Sequence, residues 1–190
     1  MKKFFLFAAS LFLFSTSVIS QNTYTLDKYH SRINFSATHF GISHVEGIFK
    51  TFDATLEAKK PDLTDAVITL SIEVSSINTE VAYRDNDLKS ANFFDTSKYA
   101  SITFKSTSFE KTGGKNYKLA GNITIHGVTR PIVFDVEYNG TAVTAMKKPT
   151  AGFTIMGKLN RLEFGVGGPA LATGISSEIE LRSNVEFTIN

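Results

Sequence analysis

Asp27, His30 and Ser31 bring together the side-chain types of a hydrolase triad, in which an acid orients an imidazole that deprotonates a serine. Neighbours in sequence do not supply that geometry, and Ser31 lacks the glycine-flanked elbow that exposes a nucleophile. The group reads instead as local hydrogen bonding at a strand entrance. His30, His39 and His44 place three of the four histidines in one short region, and imidazole is a common metal ligand. His30 and His39 differ by an odd number, so a continuous strand points them to opposite faces, and no HExxH pattern is present. No metal site, cofactor or catalytic residue is assigned. The stretch from Gly165 to Gly174 is glycine-rich but lacks the GKS or GKT of a phosphate loop, so it reads as a loop.

Arg84 and Asp85 open the segment RDNDLKSANFFD, ending at Asp95, where a chain of alternating strands stops alternating. Two roles fit the pair. It fixes the segment to the rim of a barrel, the favoured reading, or Arg84 meets a polar head group at a pocket mouth with Asp85 orienting it. An enzyme acting on a lipid or small molecule is the competing function, and it needs His30, Arg84 and Asp85 to converge on one pocket.

The elements that must position these residues are strands. Ile33, Phe35 and Ala37 alternate with polar neighbours, as do Ile68, Leu70, Ile72 and Val74, and period two with one apolar face marks a half-buried strand. From Val45 to Ala58 the alternation is looser, and Gly47 within it signals a bulge or a close backbone approach. Val81, Arg84, Leu88 and Asn92 fall three or four apart, which predicts a short helix over 80–91 with Phe93 and Phe94 after its end. Ser101 to Tyr138 reads as a three-strand meander through Thr112-Gly113-Gly114 and Gly127 to Pro131. Thr150 to Lys158 and the run from Glu178 to Ile189 supply two more strands.

About eight strands with short turns favour an antiparallel barrel or sandwich. Closure also removes exposed edges, and eight strands enclose room for side chains or one small ligand. The expected fold is therefore all-β, an eight-stranded antiparallel barrel with a short helix or loop as cover. Alternation assigns to its interior Ile33, Phe35, Phe49, Leu70, Ile72, Ile102, Phe104, Ile123, Phe134, Phe153, Ile155, Leu181 and Val185. Arg84, Leu88, Phe93 and Phe94 join them as candidate ligand-binding residues from the cover. A packed barrel and a liganded one share this pattern.

The N-terminus carries Lys2 and Lys3, then an apolar run from Phe4 to Phe14, then small and polar residues up to Ser20. The run is too short for a membrane span, which needs roughly 20 apolar residues. It reads as a secretory signal cleaved after Ser20, leaving residues 21–190 as one domain in the periplasm or outside the cell. Lys2 and Lys3 account for the whole excess of 20 basic over 18 acidic residues, so the remaining chain is neutral and poorly suited to nucleic acid. With no cysteine there is no disulfide, no thiolate metal site and no lipid attachment through a thiol. The 17 phenylalanines with no tryptophan suit a dry interior.

Asp27-Lys28-Tyr29-His30-Ser31, His39-Phe40-Gly41, Val45-Glu46-Gly47-Ile48-Phe49, Ile77-Asn78-Thr79, Arg84-Asp85, Leu88-Lys89-Ser90, Phe93-Phe94-Asp95, and Gly121 followed by Gly127-Val128-Thr129-Arg130-Pro131 occur in that order. Together they resemble the YceI-like family over nearly the whole mature chain. That resemblance implies a lipocalin-like, extended eight-stranded barrel, export to the periplasm, and a hydrophobic pocket for a polyisoprenoid chain such as a quinone or polyprenyl lipid. It implies a carrier or store, with no stable membrane insertion. Nothing in the sequence selects between a monomer and a homodimer.

Overall fold

The computed structural model describes residues 22–145, 147–168 and 174–189. The expected signal segment and part of the loop between Gly165 and Gly174 lie outside the described residues. Alternating segments form β1 (Asn22–Leu26), β2 (Ile33–His39), β3 (Ser43–Phe49), β4 (Phe52–Ala58), β5 (Val67–Glu73), β6 (Ile77–Asn78), β7 (Ser101–Gly113), β8 (Asn116–Ile125), β9 (Val128–Val143), β10 (Pro149–Asn160) and β11 (Ile175–Ile189). All pairings are antiparallel, and the order β1-β4-β5-β7-β8-β9-β10-β11 closes on itself through β1 and β11. β2, β3 and β6 prolong β1, β4 and β5 rather than adding strands to the ring. The result is the expected all-β, eight-stranded antiparallel barrel, with one short helix, α1 (Ala82–Lys89), among the described residues.

The prolonged strands are broken at one level, and the breaks account for the loose alternation after Val45. Phe49 and Phe52 both point inward because Lys50 and Thr51 interrupt the strand and shift its phase. A 3-10 turn, Val74–Ser76, shifts the neighbouring strand in the same way between the buried Ile72 and Ile77. Lys50 N–H donates to the Ser76 carbonyl at 3.2 Å and Glu73 N–H to the Thr51 carbonyl at 3.0 Å, which locks the two breaks together. On the other side the chain detours between β1 and β2. Asp27 Oδ1 accepts the backbone N–H groups of Tyr29 (3.0 Å) and His30 (3.3 Å). The buried Ser31 Oγ accepts the Glu186 N–H at 3.0 Å, replacing the ladder acceptor that the detour removes.

Irregular segments lie at both ends. Leu63 and Ala66, from the β4–β5 connection, are buried at one end, where the Tyr117 hydroxyl donates to the Asp62 carbonyl at 3.2 Å. The other end carries α1, the chain from Ser90 to Ala100, the β2–β3 turn and a 3-10 turn at Arg161–Phe164. The helix is shorter than the spacing predicts. Glu80 stands at φ 63°, outside the helical region, and at the far end Ser90 Oγ donates to the Asp87 carbonyl at 2.7 Å as the backbone turns extended.

Inside the barrel, aromatic rings lie against glycines. The expected feature at Gly47 is a close approach: the Phe35 ring sits where a Cβ would be, at 2.3 Å. Phe104 covers Gly121 and Phe134 covers Gly157 in the same manner, at 2.4 Å and 2.5 Å from the position of a Cβ. At Gly121 that Cβ would also stand 2.5 Å from the Lys105 carbonyl, backbone that no rotamer change can move. Gly121→Ala is expected to lower the unfolding free energy by about 1–3 kcal/mol in urea titration. Gly152→Ala, where the nearest atom is 3.7 Å away, should stay close to wild type.

Candidate functional site

A cavity of about 770 Å³ runs through the barrel, within the range of small-molecule sites. β2 contributes Ile33 and Phe35, β3 Phe49, β5 Leu70 and Ile72, and β7 Ile102 and Phe104. Ile123 of β8, Phe134 of β9, Phe153 and Ile155 of β10, and Leu181 and Val185 of β11 complete the wall among the residues singled out by alternation. Arg84, Leu88, Phe93 and Phe94 line the helix end. Phe93 is buried, and Phe94 meets Phe49 edge-on with ring centroids 6.3 Å apart.

Further lining residues lie outside that set. Leu56, Ile68, Val136 and Phe187 stand two positions from an assigned residue on the same face or continue a buried stripe, so the alternation itself contains them. Phe52 and Leu26 are hidden from a strict period by the strand breaks. Arg161, Phe164 and Val166 come from irregular chain, where no periodicity exists to be read.

The charged lining residues all belong to the helix end. Arg84 donates from Nε to Thr79 Oγ1 and from Nη2 to the Thr79 carbonyl, both at 2.8 Å. Asp85 Oδ1 accepts the Thr79 N–H at 2.8 Å and its hydroxyl at 2.6 Å. The pair therefore grips one residue from two sides and ties α1 to the end of β6, which is the anchoring geometry. Asp95, buried at φ 44°, holds the chain beyond the helix: its carboxylate accepts the Ser97 hydroxyl at 2.7 Å and pairs with Lys98 at 2.9 Å. Lys98 and then Ser97 hold its pKa below the usual carboxylate range.

Arg161 is different in kind. It is 4% exposed, and Nε donates to the Ser176 carbonyl at 2.9 Å. Its Nη2 donates to the Ile175 carbonyl at 3.1 Å, and Nη1 to the carbonyls of Val166 (2.7 Å) and Gly167. No carboxylate pairs with it among the described residues. Burial pushes its pKa down with no acid acting the other way, so a full positive charge borders an apolar space on carbonyl dipoles alone.

The constellations weighed from sequence separate. His30 and Asp85 are absent from the cavity lining, so His30, Arg84 and Asp85 do not converge there. Ser31 is buried in the sheet edge, engaged with Glu186, and is no nucleophile for His30. His39 borders the cavity and stacks edge-on against Phe40, whereas His30 sits on the outer detour with Nδ1 at 2.9 Å from Asp27 Oδ2. Among the described residues, the histidine and carboxylate atoms that gather within 4.8 Å belong to Asp27, His30 and Glu186 rather than to the three histidines. Asp27 spends its oxygens on the turn and on His30, so this cluster is explained by the strand detour.

A family model described as YceI-like domain matches residues 24–187. A UPF0312 protein of Staphylococcus aureus is 34% identical over 172 residues, covering 88% of this chain and 98% of the relative. The crystal structure of a Campylobacter jejuni YceI protein is similar at a TM-score of 0.70 and 32% identity, covering 80% of this chain and 88% of that one. A polyisoprenoid binding domain from Saccharophagus degradans, implicated in plant cell wall breakdown, shares the fold at a TM-score of 0.67 and 14% identity, with 88% and 98% of the two chains covered.

Removing the Asp85 carboxylate leaves the Thr79 N–H and hydroxyl without their acceptor. Asp85→Ala should lower stability by about 1–3 kcal/mol in denaturant titration and raise hydrogen exchange across α1. Asp27, through its hydrogen bond and its charge, raises the His30 pKa, and His30 in turn lowers that of Asp27. The pair therefore contributes between the two folded pKa values, fading as pH rises through that of His30 and as pH falls through that of Asp27. In an NMR titration His30 should titrate above the usual histidine value of about 6.5 and return to it in Asp27→Asn.

Proposed function

This chain belongs to the YceI-like domain family, and from that premise we propose that it binds a long apolar lipid, a polyisoprenoid such as a quinone or polyprenyl lipid, for transport or storage. One observation carries the reading: an apolar lumen of about 770 Å³ with charge confined to one end. Such a space stays dry and favours hydrocarbon over water. Burying one isoprene unit contributes on the order of 3–4 kcal/mol, at about 0.8 kcal/mol per methylene. A few units outweigh the ordering cost of a flexible chain, so the wall alone can retain it.

The asymmetry of the lumen suggests an orientation. The tail follows the wall toward Leu56 and Phe187, and an oxygen-bearing head group stays at the helix end beside Arg161. The related domain of Saccharophagus degradans, described as polyisoprenoid binding, supports this ligand class by likeness of fold. We read the protein as a binding protein rather than an enzyme, because Arg84 and Arg161, the two cations of the lining, are engaged in holding backbone. The N-terminal segment adds export: cleavage near Ser20 would release a periplasmic or secreted chain starting at Gln21. No helix among the described residues is long and apolar enough to cross a membrane.

Native mass spectrometry of protein purified from a bacterial host should reveal a bound mass that organic extraction releases as an apolar lipid. Protein that is empty in repeated preparations, and that takes up neither polyprenol nor quinone, would overturn the reading. Ala54→Phe projects a ring into the lumen and should lower uptake about tenfold or more while the barrel stays folded by circular dichroism.

A further inference from the structure

Eight large apolar side chains are prominently exposed among the described residues, and half of them lie at the helix end of the barrel. Phe40 (64% exposed) and Ile42 (86%) form the tip of the β2–β3 turn, and Val81 (44%) and Tyr83 (84%) flank the start of α1. Phe40, Val81 and Tyr83 all border the cavity, and the β2–β3 turn and the start of α1 both stand at its helix end. The remaining four, Tyr29, Val67, Val133 and Val143, are spread over the detour, the far end and the outer wall. Scattered apolar residues need no explanation, whereas a contiguous exposed group marks an interaction surface.

The turn is built to hold its apolar side chains out. Phe40 stands at φ 48° and Gly41 at φ 72°, a left-handed pair that reverses the chain tightly. A bulky aromatic residue is rare in that region. Phe40 N–H donates to the Gly174 carbonyl at 2.9 Å and Ile42 N–H to the His39 carbonyl at 3.1 Å, so the tip is pinned to the start of β11. The strained backbone conformation presents Phe40 and Ile42 to solvent and gives the core nothing in return.

We propose that this rim docks on a lipid bilayer, so that the ligand passes between membrane and lumen without crossing water. The inference rests on the lipid-binding reading above. A bilayer is the partner because the rim is continuous with a lumen whose contents would otherwise be exposed to water at every exchange. Tyr83 suits the depth of lipid head groups, where its apolar ring and its hydroxyl are both satisfied, and Phe40 and Ile42 suit the acyl boundary just below. The charges of α1 are mixed, Arg84 and Lys89 against Asp85 and Asp87, and offer no basic cluster. Docking is therefore driven by apolar burial and reversible, and it works on neutral lipid.

The test uses the mature chain, phosphatidylcholine vesicles loaded with a polyprenol, and Ile42→Asp, a residue of the tip that does not border the cavity. Wild type should float with the vesicles at low and high salt alike and extract the polyprenol. Ile42→Asp should lower flotation and the rate of extraction about tenfold. The same variant should fill normally when the polyprenol is delivered in detergent micelles. Four results would overturn the proposal: wild type that does not float, flotation only on anionic lipid, Ile42→Asp extracting at the wild-type rate, or a dimer in sedimentation that Ile42→Asp dissolves while flotation is unchanged. Flotation without uptake from either vesicles or micelles would overturn the lipid-binding reading and leave the docking intact.

Discussion

The lumen exists because three phenylalanine rings lie along the wall instead of across it. Eight closed strands enclose a space that inward side chains can fill, and a barrel rich in phenylalanine would ordinarily fill it. Phe35, Phe104 and Phe134 instead rest on Gly47, Gly121 and Gly157, where the missing Cβ atoms give each ring a flat seat. Ring pairs such as Phe35 with Phe49 and Phe104 with Phe134, both with centroids 5.6 Å apart, then pack side by side around the wall. The stabilisation that aromatic burial provides is retained, and the axis of the barrel stays open.

Much of this was readable in advance, for a physical reason. A closed barrel has one inside, so period-two alternation assigns both the strand and the face, and residues such as Leu70, Ile123 and Leu181 could be set on the lumen without coordinates. Whether that lumen is open was not readable, because the same stripe serves a filled barrel, and the deciding contacts join Phe104 to Gly121 or Phe134 to Gly157 across strands. The strand breaks escaped for the opposite reason. Each shifts the phase by one position, which to a periodic eye makes Phe52 look misplaced after Phe49. Arg161 gave no signal at all, since a charged residue in irregular chain is ordinarily solvated.

The polar residues that looked capable of chemistry share a different task. Asp27 caps the detour between β1 and β2, and Ser31 repairs the ladder that the detour opens. Asp85 and Arg84 grip Thr79 where β6 gives way to the helix, and Asp95 fixes the return toward β7. Each stands where the sheet ladder stops and backbone groups lose their regular partners, and an unpaired buried backbone group is costly enough to require a specific side chain. Motif density in this chain follows the irregularities of the sheet.

That distribution gives the two ends of the barrel different mechanical characters. At the β4–β5 end, Leu63 and Ala66 are buried with Tyr24 and Tyr117, so opening there would expose apolar surface. At the helix end, α1 has no fully buried residue and is held chiefly through the polar grip on Thr79, together with the half-buried Leu88. Polar contacts of this kind are worth less net free energy than a packed core, because water replaces them when they break. Beside the buried Phe93 and Phe164, α1 is thus the part of that end whose closure competes with solvent most weakly, and an apolar ligand can leave or enter past it while the eight-strand ring stays intact.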